Sequence, residues 1–409
     1  MDYNIIVIGG GIAGATLARR LAMSGLHVLV IEREEHFRDR VRGEGILPWG
    51  VTEAKALGIY DLLHKRCGHV VNWWNSYSGA SSSIIHRDLT VTTPHGAGLL
   101  NFYHPEMQEV LLTAAAAAGA TVWRNAKAIK VMGGPTPTVA IQQGDTIQRV
   151  RTRLVVCADG RNSHARLSAG FSVQREPARL VIAGILFAGL AAPTDAVSVF
   201  FNPRRPGQFA SLFPIGQGRH RVYFIYTLQG QERQLCGVQN VPLFVNECIQ
   251  SGAPATWFAG GTPAGPLAMF HNLRNWVDHP SRPGVALVGD AAGTSNPSFG
   301  CGLALALRDV RVLTDQLLTN ADWAEALIAY AHERADYYTR LRRKEEWLTQ
   351  LFFELGPVAN QRRARVAPLH RREPEREVDI IGLGPDERCD EAARIRFFGE
   401  DLLSQPSLS

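Results

Sequence analysis

The chain has 409 residues and a mass of 44.9 kDa, with 45% hydrophobic and 20% charged residues. That supplies one large core or two moderate ones and excludes a peptide-sized or disordered protein. A formal charge of +5 permits acidic partners without requiring one, and the longest apolar stretch, residues 180–192, falls short of the roughly 18 residues of a membrane helix, so integral membrane association is not expected.

From the N-terminus, Met1-Asp2 leads straight into a strand-like run with no basic n-region or small-residue cleavage site, and the expectation is a cytoplasmic protein. Residues 4–8, Asn-Ile-Ile-Val-Ile, have the β-branched character of a strand covered on both faces. They run into Gly9-Gly10-Gly11-Ile12-Ala13-Gly14, a G-x-G-x-x-G in the place a dinucleotide fold requires. Gly9 permits the tight turn, Gly11 lets backbone approach a pyrophosphate, and Gly14 lets the following helix sit close on the strand. The spacing predicts a helix over 13–23, stopped by Ser24-Gly25, and a second strand over 27–31 that closes on Glu32. Glu32 stands 18 residues after Gly14, where an acid takes the ribose hydroxyls, with Arg33 next to it. The pattern fits NAD or the ADP half of FAD equally.

Trp73, Trp74 and Tyr77 fall in a sheet-forming segment, and residues 107–118 have helical spacing that ends at Gly119. A strand over 153–157 runs into Ala158-Asp159-Gly160-Arg161-Asn162-Ser163-His164-Ala165-Arg166. Strand-like runs at Leu180–Ala188, Ala196–Phe201, 209–214 and 220–226 are separated by turn clusters such as Asn202-Pro203 and Gly216-Gln217-Gly218, and predict an inserted antiparallel sheet. Another strand over 285–288 meets Gly289-Asp290-Ala291-Ala292-Gly293, then Pro297 and Gly300-Cys301-Gly302 at the start of a helix. Helices are expected over 303–318 and 322–351, followed by a solvated, partly irregular tail crowded with Arg362, Arg363, Arg365, Arg371, Arg372 and Arg376. No aromatic residues interleave with those arginines, so no nucleic-acid partner is expected. Six cysteines lie scattered without metal-ligand spacing, which reads as reduced, mostly buried thiols and no metal.

The glycine-rich fingerprint, the C-x-D-G-x-x-S-x-x-R segment at 157–166 and the GD segment at 289–293 together resemble the three motifs of the group A flavoprotein monooxygenases, typified by para-hydroxybenzoate hydroxylase. The resemblance implies an α/β fold: a discontinuous, Rossmann-like FAD-binding domain from 1–72, 100–171 and 281–320, a substrate domain from 73–99 and 172–280, and C-terminal helices with a basic tail over 321–409. It implies FAD contacts at Gly9, Gly11, Ile12, Ala13, Gly14, Glu32, Arg33, Arg42, Ala128, Asp159, Gly160, Asp290, Gly300, Cys301, Gly302 and Leu303. Pro297 would lie beside the flavin and shape the oxygen site. Trp73, Trp74, Tyr77, Phe213, Arg221 and Tyr223 are the expected substrate-pocket residues. The implied chemistry is reduction of FAD by NADH or NADPH, formation of a flavin C4a-hydroperoxide from O2, and hydroxylation or epoxidation of a hydrophobic, aromatic or polyketide-like small molecule. No residue stands out as a general base.

The chain also departs from the pattern. Ala304 stands where the hydroxylases usually carry asparagine, His104 where many relatives have arginine, and Gly293 where many have histidine. The run Gly289-Asp290-Ala291-Ala292-Gly293 is similar to the geranylgeranyl reductase branch, which makes a reductase of isoprenoid double bonds the alternative. A flavin-dependent halogenase is disfavoured because Trp73-Trp74 does not form W-x-W-x-I-P. A non-catalytic flavin-binding regulator is the remaining reading.

Overall fold

The computed structural model describes residues 3–79, 84–228 and 233–402. Its first sheet runs in the order Ser281–Arg282, Val285–Leu287, Leu154–Cys157, Ile5–Ile8, Val28–Ile31, Thr121–Trp123. All neighbours are parallel except the edge strand Ser281–Arg282, and the register sets Val7 beside Val30 on one side and Val156 on the other. Alternation divides the central strand between two cores. Ile5 and Val7 face the layer that contains helices Ile12–Met23, His104–Ala117 and Gly302–Thr319, while Ile6 and Ile8 face the three-stranded meander Ala126–Met132, Thr138–Gln143, Thr146–Arg151.

The second sheet holds the four strands expected between 180 and 226, extended at its far side by Trp73–Ser78 and Ile84–Asp88. It departs from the expected antiparallel arrangement at one place. Ala196–Phe201 pairs in parallel with Trp73–Ser78, because the two strands arrive from segments far apart in the chain rather than through a hairpin. One face of this sheet packs Val181, Ala183 and Ile185 against helix Val241–Gln250; Ile182, Val199 and Ile225 on the other face look into a large cavity between the sheets.

Helix Trp323–Phe352 crosses the back of the molecule, and the expected irregular tail proves to be ordered. Pro357–Arg372 is a helix, and its Arg362, Arg363 and Arg365 bond carbonyls of the chain. Arg362 donates to the Gln350 carbonyl at 3.0 Å and Arg363 to the Leu351 and Glu354 carbonyls at 3.1 and 2.7 Å, neutralising the negative end of the long helix. Among the described residues no helix is long and apolar enough to cross a membrane, and all six cysteines are free thiols.

Candidate active site

The cavity between the sheets measures about 1340 Å³ and begins at the fingerprint. Gly9 has φ +104°, and a Cβ there would come within 2.5 Å of the Ala158 carbonyl; at Gly14 a Cβ would lie 1.9 Å from the Gly9 carbonyl. These two glycines hold helix, strand and loop together. Gly11 differs, because a Cβ there would meet only Gln108 Nε2 at 3.6 Å and would project from the cavity wall. Glu32 ends its strand with the carboxylate fixed by backbone: Oε2 accepts from Gly10 N–H at 2.7 Å and Oε1 from Glu34 N–H at 2.8 Å. Ile12, Ala13 and Ala128 line the same end, and Arg33 reaches its exposed rim 3.2 Å from Glu34.

Asp159 accepts from Ser163 Oγ at 2.5 Å and from Ala165 N–H at 3.2 Å, while burial pushes its carboxyl up from the ordinary range. Ser163 in turn caps the short helix His164–Ser168 by accepting from Arg166 N–H. The buried Arg166 guanidinium donates to the Ala291 carbonyl at 2.9 Å and the Arg161 carbonyl at 3.1 Å, stapling the two motif loops to each other. The turn before Asp290 is fixed from behind. Asp309 accepts from Gly289 N–H at 2.8 Å, Arg334 Nε at 3.0 Å and Tyr337 hydroxyl at 2.5 Å. Sequence reading missed Asp309 and Arg334; they lie on different helices, and only their helical setting and charge hinted at a buried pair. Asp290 itself lines the cavity, its carboxyl raised by desolvation and opposed by Arg161, Arg42 and Arg166. Arg42 and Arg161 both approach the Phe270 ring, at 5.4 and 5.8 Å from its centre.

Pro297, Gly300, Gly302 and Leu303 line the middle of the cavity, where helix Gly302–Thr319 presents its N-terminus. Gly300 has φ +69° and open space where a side chain would project, and Gly160 is likewise open. The Pro297 loop is held by Glu345, which accepts from Asn296 N–H at 3.0 Å, and by Thr349, whose hydroxyl lies 3.1 Å from Asn296 Nδ2. Cys301 is off the wall: its side chain is fully buried with Sγ against the Phe299 carbonyl. Gly14 likewise stands behind the wall as a packing residue. Open glycines at 11, 160 and 300, a backbone-fixed acid at 32 and a free helix N-terminus make a cradle that fits an extended dinucleotide with a flat ring at its inner end.

Beyond Pro297 the wall becomes apolar. Trp74, Phe213 and Tyr223 line it with Ile182, Phe209 and Phe352, relieved by Ser76 and Ser211. Three expected pocket residues are not on it. Trp73 and Tyr77 alternate with Trp74 on their strand and so face away: Trp73 stacks on His86 at 4.0 Å, and Tyr77 on Phe200 at 4.5 Å. Arg221 is wholly buried behind Tyr223, in ion pairs with Asp39 and Glu44. His104 lines the cavity, but its Nδ1 is taken by the Gly43 carbonyl at 2.7 Å.

A strap formed by residues 374–387 closes the apolar end. Val378, Ile380 and Ile381 face the cavity. Arg87 clamps Asp379 through two bonds of 2.9 and 2.7 Å, Lys344 donates to the Gly384 carbonyl at 2.6 Å, and Arg308 clamps Asp386 at 2.8 and 2.7 Å. The visible signal was apolar residues set among charges in the sequence Val378-Asp379-Ile380-Ile381-Gly382-Leu383.

A profile described as "FAD binding domain" matches residues 2–345. The chain is 27% identical over 321 residues to digeranylgeranylglycerophospholipid reductase 2 of Methanothermobacter thermautotrophicus, covering 76% of this chain and 77% of that protein. It is also 27% identical over 345 residues to 3-demethoxyubiquinol 3-hydroxylase of Escherichia coli, covering 80% and 82%. The solved structure of p-nitrophenol 4-monooxygenase from Pseudomonas putida shares the fold, with TM-score 0.76, 17% identity, and coverage of 98% of this chain and 96% of that one. The chain belongs to the FAD binding domain family, in keeping with the motifs it shares with the group A flavoprotein monooxygenases, and is an FAD-dependent oxidoreductase.

Proposed function

We propose that the protein is an FAD-dependent monooxygenase that uses NADH or NADPH and O2 to hydroxylate or epoxidise a hydrophobic, aromatic or polyketide-like small molecule. The observation that carries this reading is the cavity itself, which continues from the dinucleotide cradle past Pro297 into a closed end walled by Trp74, Phe213 and Phe352. FAD bound there would supply the redox chemistry that links the nicotinamide, O2 and the substrate. Gly11 and the backbone around it would make room for the pyrophosphate, Glu32 would hold the ribose, and Asp290 the sugar-alcohol chain. The N-terminus of Gly302–Thr319 favours negative charge on the reduced ring. Pro297 offers no N–H to the space beside that ring, and the strap excludes water from it. The sheet from 73–99 and 172–280 serves as the substrate part.

The reductase of isoprenoid double bonds is the second reading, favoured by the reductase relative. Gly293 supports it less than the sequence suggested. A Cβ at 293 would lie 2.7 Å from the Tyr338 hydroxyl and 3.0 Å from Trp276 Cβ, so packing by itself demands glycine. The test is the visible spectrum of the purified protein, followed by anaerobic NADH or NADPH addition and readmission of air with candidate aromatic and isoprenoid substrates. Bleaching and recovery, with O2 consumption matched to oxygenated product, supports the monooxygenase. Turnover of an isoprenoid without O2 uptake overturns it, and a colourless protein that takes up no FAD overturns both readings.

A further inference from the structure

Four side chains meet behind the cavity wall where the flavin end gives way to the apolar end. Arg221 donates to both oxygens of Asp39 at 2.9 and 2.8 Å and places its Nε 3.1 Å from Glu44 Oε1. Tyr223 donates its hydroxyl to Glu44 Oε2. The site is built closely: a Cβ on Gly184 would come within 2.6 Å of the Tyr223 ring and 2.7 Å of Val41 Cγ1. Val41 itself has φ +54° and donates its N–H to Asp39 at 2.8 Å. Two carboxylates therefore share one buried guanidinium.

The neighbouring groups do not restore the balance. Arg42, on the same segment, turns to Phe270 and lies in the fields of Asp290 and, more weakly, Tyr223. Burial lowers the affinity of His104 for a proton and raises that of Tyr103, and Arg219 lies over the Tyr103 ring and 3.4 Å from Glu106. With Arg221 matched by Asp39, the Glu44 carboxylate is one buried negative charge in excess, and one proton would neutralise the cluster. Burial accordingly raises the affinity of Glu44 for a proton. Glu44 and Tyr223 both border the cavity, and the Phe213 ring meets Tyr223 edge-on at 6.2 Å.

We propose that Tyr223, backed by Glu44, is the proton acceptor for the hydroxyl group of a phenol or enol substrate, an assignment that rests on the monooxygenase reading. The substrate O–H bond breaks and leaves its electron pair on the substrate oxygen, and that proton bonds to the Tyr223 oxygen. Tyr223's own O–H breaks in concert and its proton bonds to Glu44 Oε2. The ionised ring is the more electron-rich partner for oxygen transfer at carbon, and Arg221 with Asp39 stays behind as a neutral pair. Tyr223 touches the substrate; Glu44 acts through it as a positioning residue. A pair already protonated at rest would instead be a proton donor, the arrangement that reduction of a double bond needs.

Infrared difference spectra of the FAD-bound protein carrying 13C-labelled glutamate, recorded across pH, read the Glu44 carboxyl directly. The expected result is a carboxylate in mildly alkaline buffer that gains its proton at a pH above the ordinary glutamate range, a band lost in Glu44→Gln and moved in Tyr223→Phe. The phenylalanine variant keeps the ring and its packing. With 4-nitrophenol as probe, visible difference spectra below its own ionisation pH should show phenolate with the parent protein and loss of that signal in both variants. A Glu44 already protonated in alkaline buffer, a titration unmoved by Tyr223→Phe, or a probe that stays neutral with the parent protein overturns the proposal. Neither readout requires flavin turnover, so a failure here is distinguishable from failure of the monooxygenase reading, which the O2 measurement reports separately.

Discussion

Gly11 and Gly14 stand three residues apart in one motif and should fail in different ways. A methyl group at Gly14 strikes the Gly9 carbonyl, so Gly14→Ala is expected to destabilise the fold by about 3 kcal/mol or more, read as a fall in Tm. At Gly11 the methyl group projects from the wall of the cradle, so Gly11→Ala should melt normally and bind FAD roughly tenfold or more weakly, a loss of about 1.4 kcal/mol, measured by fluorescence titration. Glu345, behind the Pro297 loop, offers a pH test. Burial pushes its carboxyl up to about 7 from the reference value of 4.5. The folded state then binds the proton more tightly than the unfolded one, so this group's contribution to stability is present at low pH and is lost as pH rises towards about 7. Glu345→Gln should flatten that slope in denaturant titrations across pH; an unchanged slope would remove Glu345 from the account. The fingerprint glycines were legible because their constraint is local, whereas Trp73 and Trp74 were not distinguishable: which of two adjacent residues faces a cavity is set by how the strand sits in its sheet, between Ile84–Asp88 and the distant Ala196–Phe201.

Helix Gly302–Thr319 shows how packing between elements overrides a family pattern. A Cβ on Gly50, in helix Pro48–Ala56, would lie 2.3 Å from the Ala304 Cβ, so the two helices touch where a larger residue has no room. Ala304→Asn, which would restore the hydroxylase residue, should therefore cost about 1–3 kcal/mol in a thermal melt rather than improve flavin binding. The strap is the element the sequence concealed. Its apolar residues are few and set among charges, and its anchors Arg87, Lys344 and Arg308 come from three separate elements. Asp379→Ala removes the carboxylate clamped by Arg87 and should raise hydrogen exchange across 374–387. It should also increase the fraction of reduced nicotinamide consumed without product, since water then reaches the oxygen site. The four central strands of the second sheet were readable as strand-like runs bounded by turn clusters, but its parallel join to Trp73–Ser78 was not, because a parallel partner leaves no turn signal in the chain.

At the scale of the whole molecule, the strand ends near residues 9, 32, 159 and 290 all border the cavity, so the cradle proposed for FAD draws on strands far apart in the chain. Stripping FAD should lower Tm, and restoring it a thousandfold above its Kd should return about 4 kcal/mol; a Tm indifferent to FAD would mean that the cradle stands complete without its ligand. The order of strands in that sheet also has a consequence for how the protein is made. Ile5–Ile8 is flanked early by Val28–Ile31, but its other neighbour, Leu154–Cys157, is itself covered only by Val285–Leu287. The intervening sheet must be threaded and set aside before the nucleotide half can close. A nascent chain still tethered at the ribosome with fewer than its first 285 residues exposed carries an open parallel edge, the slow and association-prone kind of intermediate. Synthesis of roughly the final third, which also brings the C-terminal helices and the strap, is then the event that closes the open edge and completes the cradle.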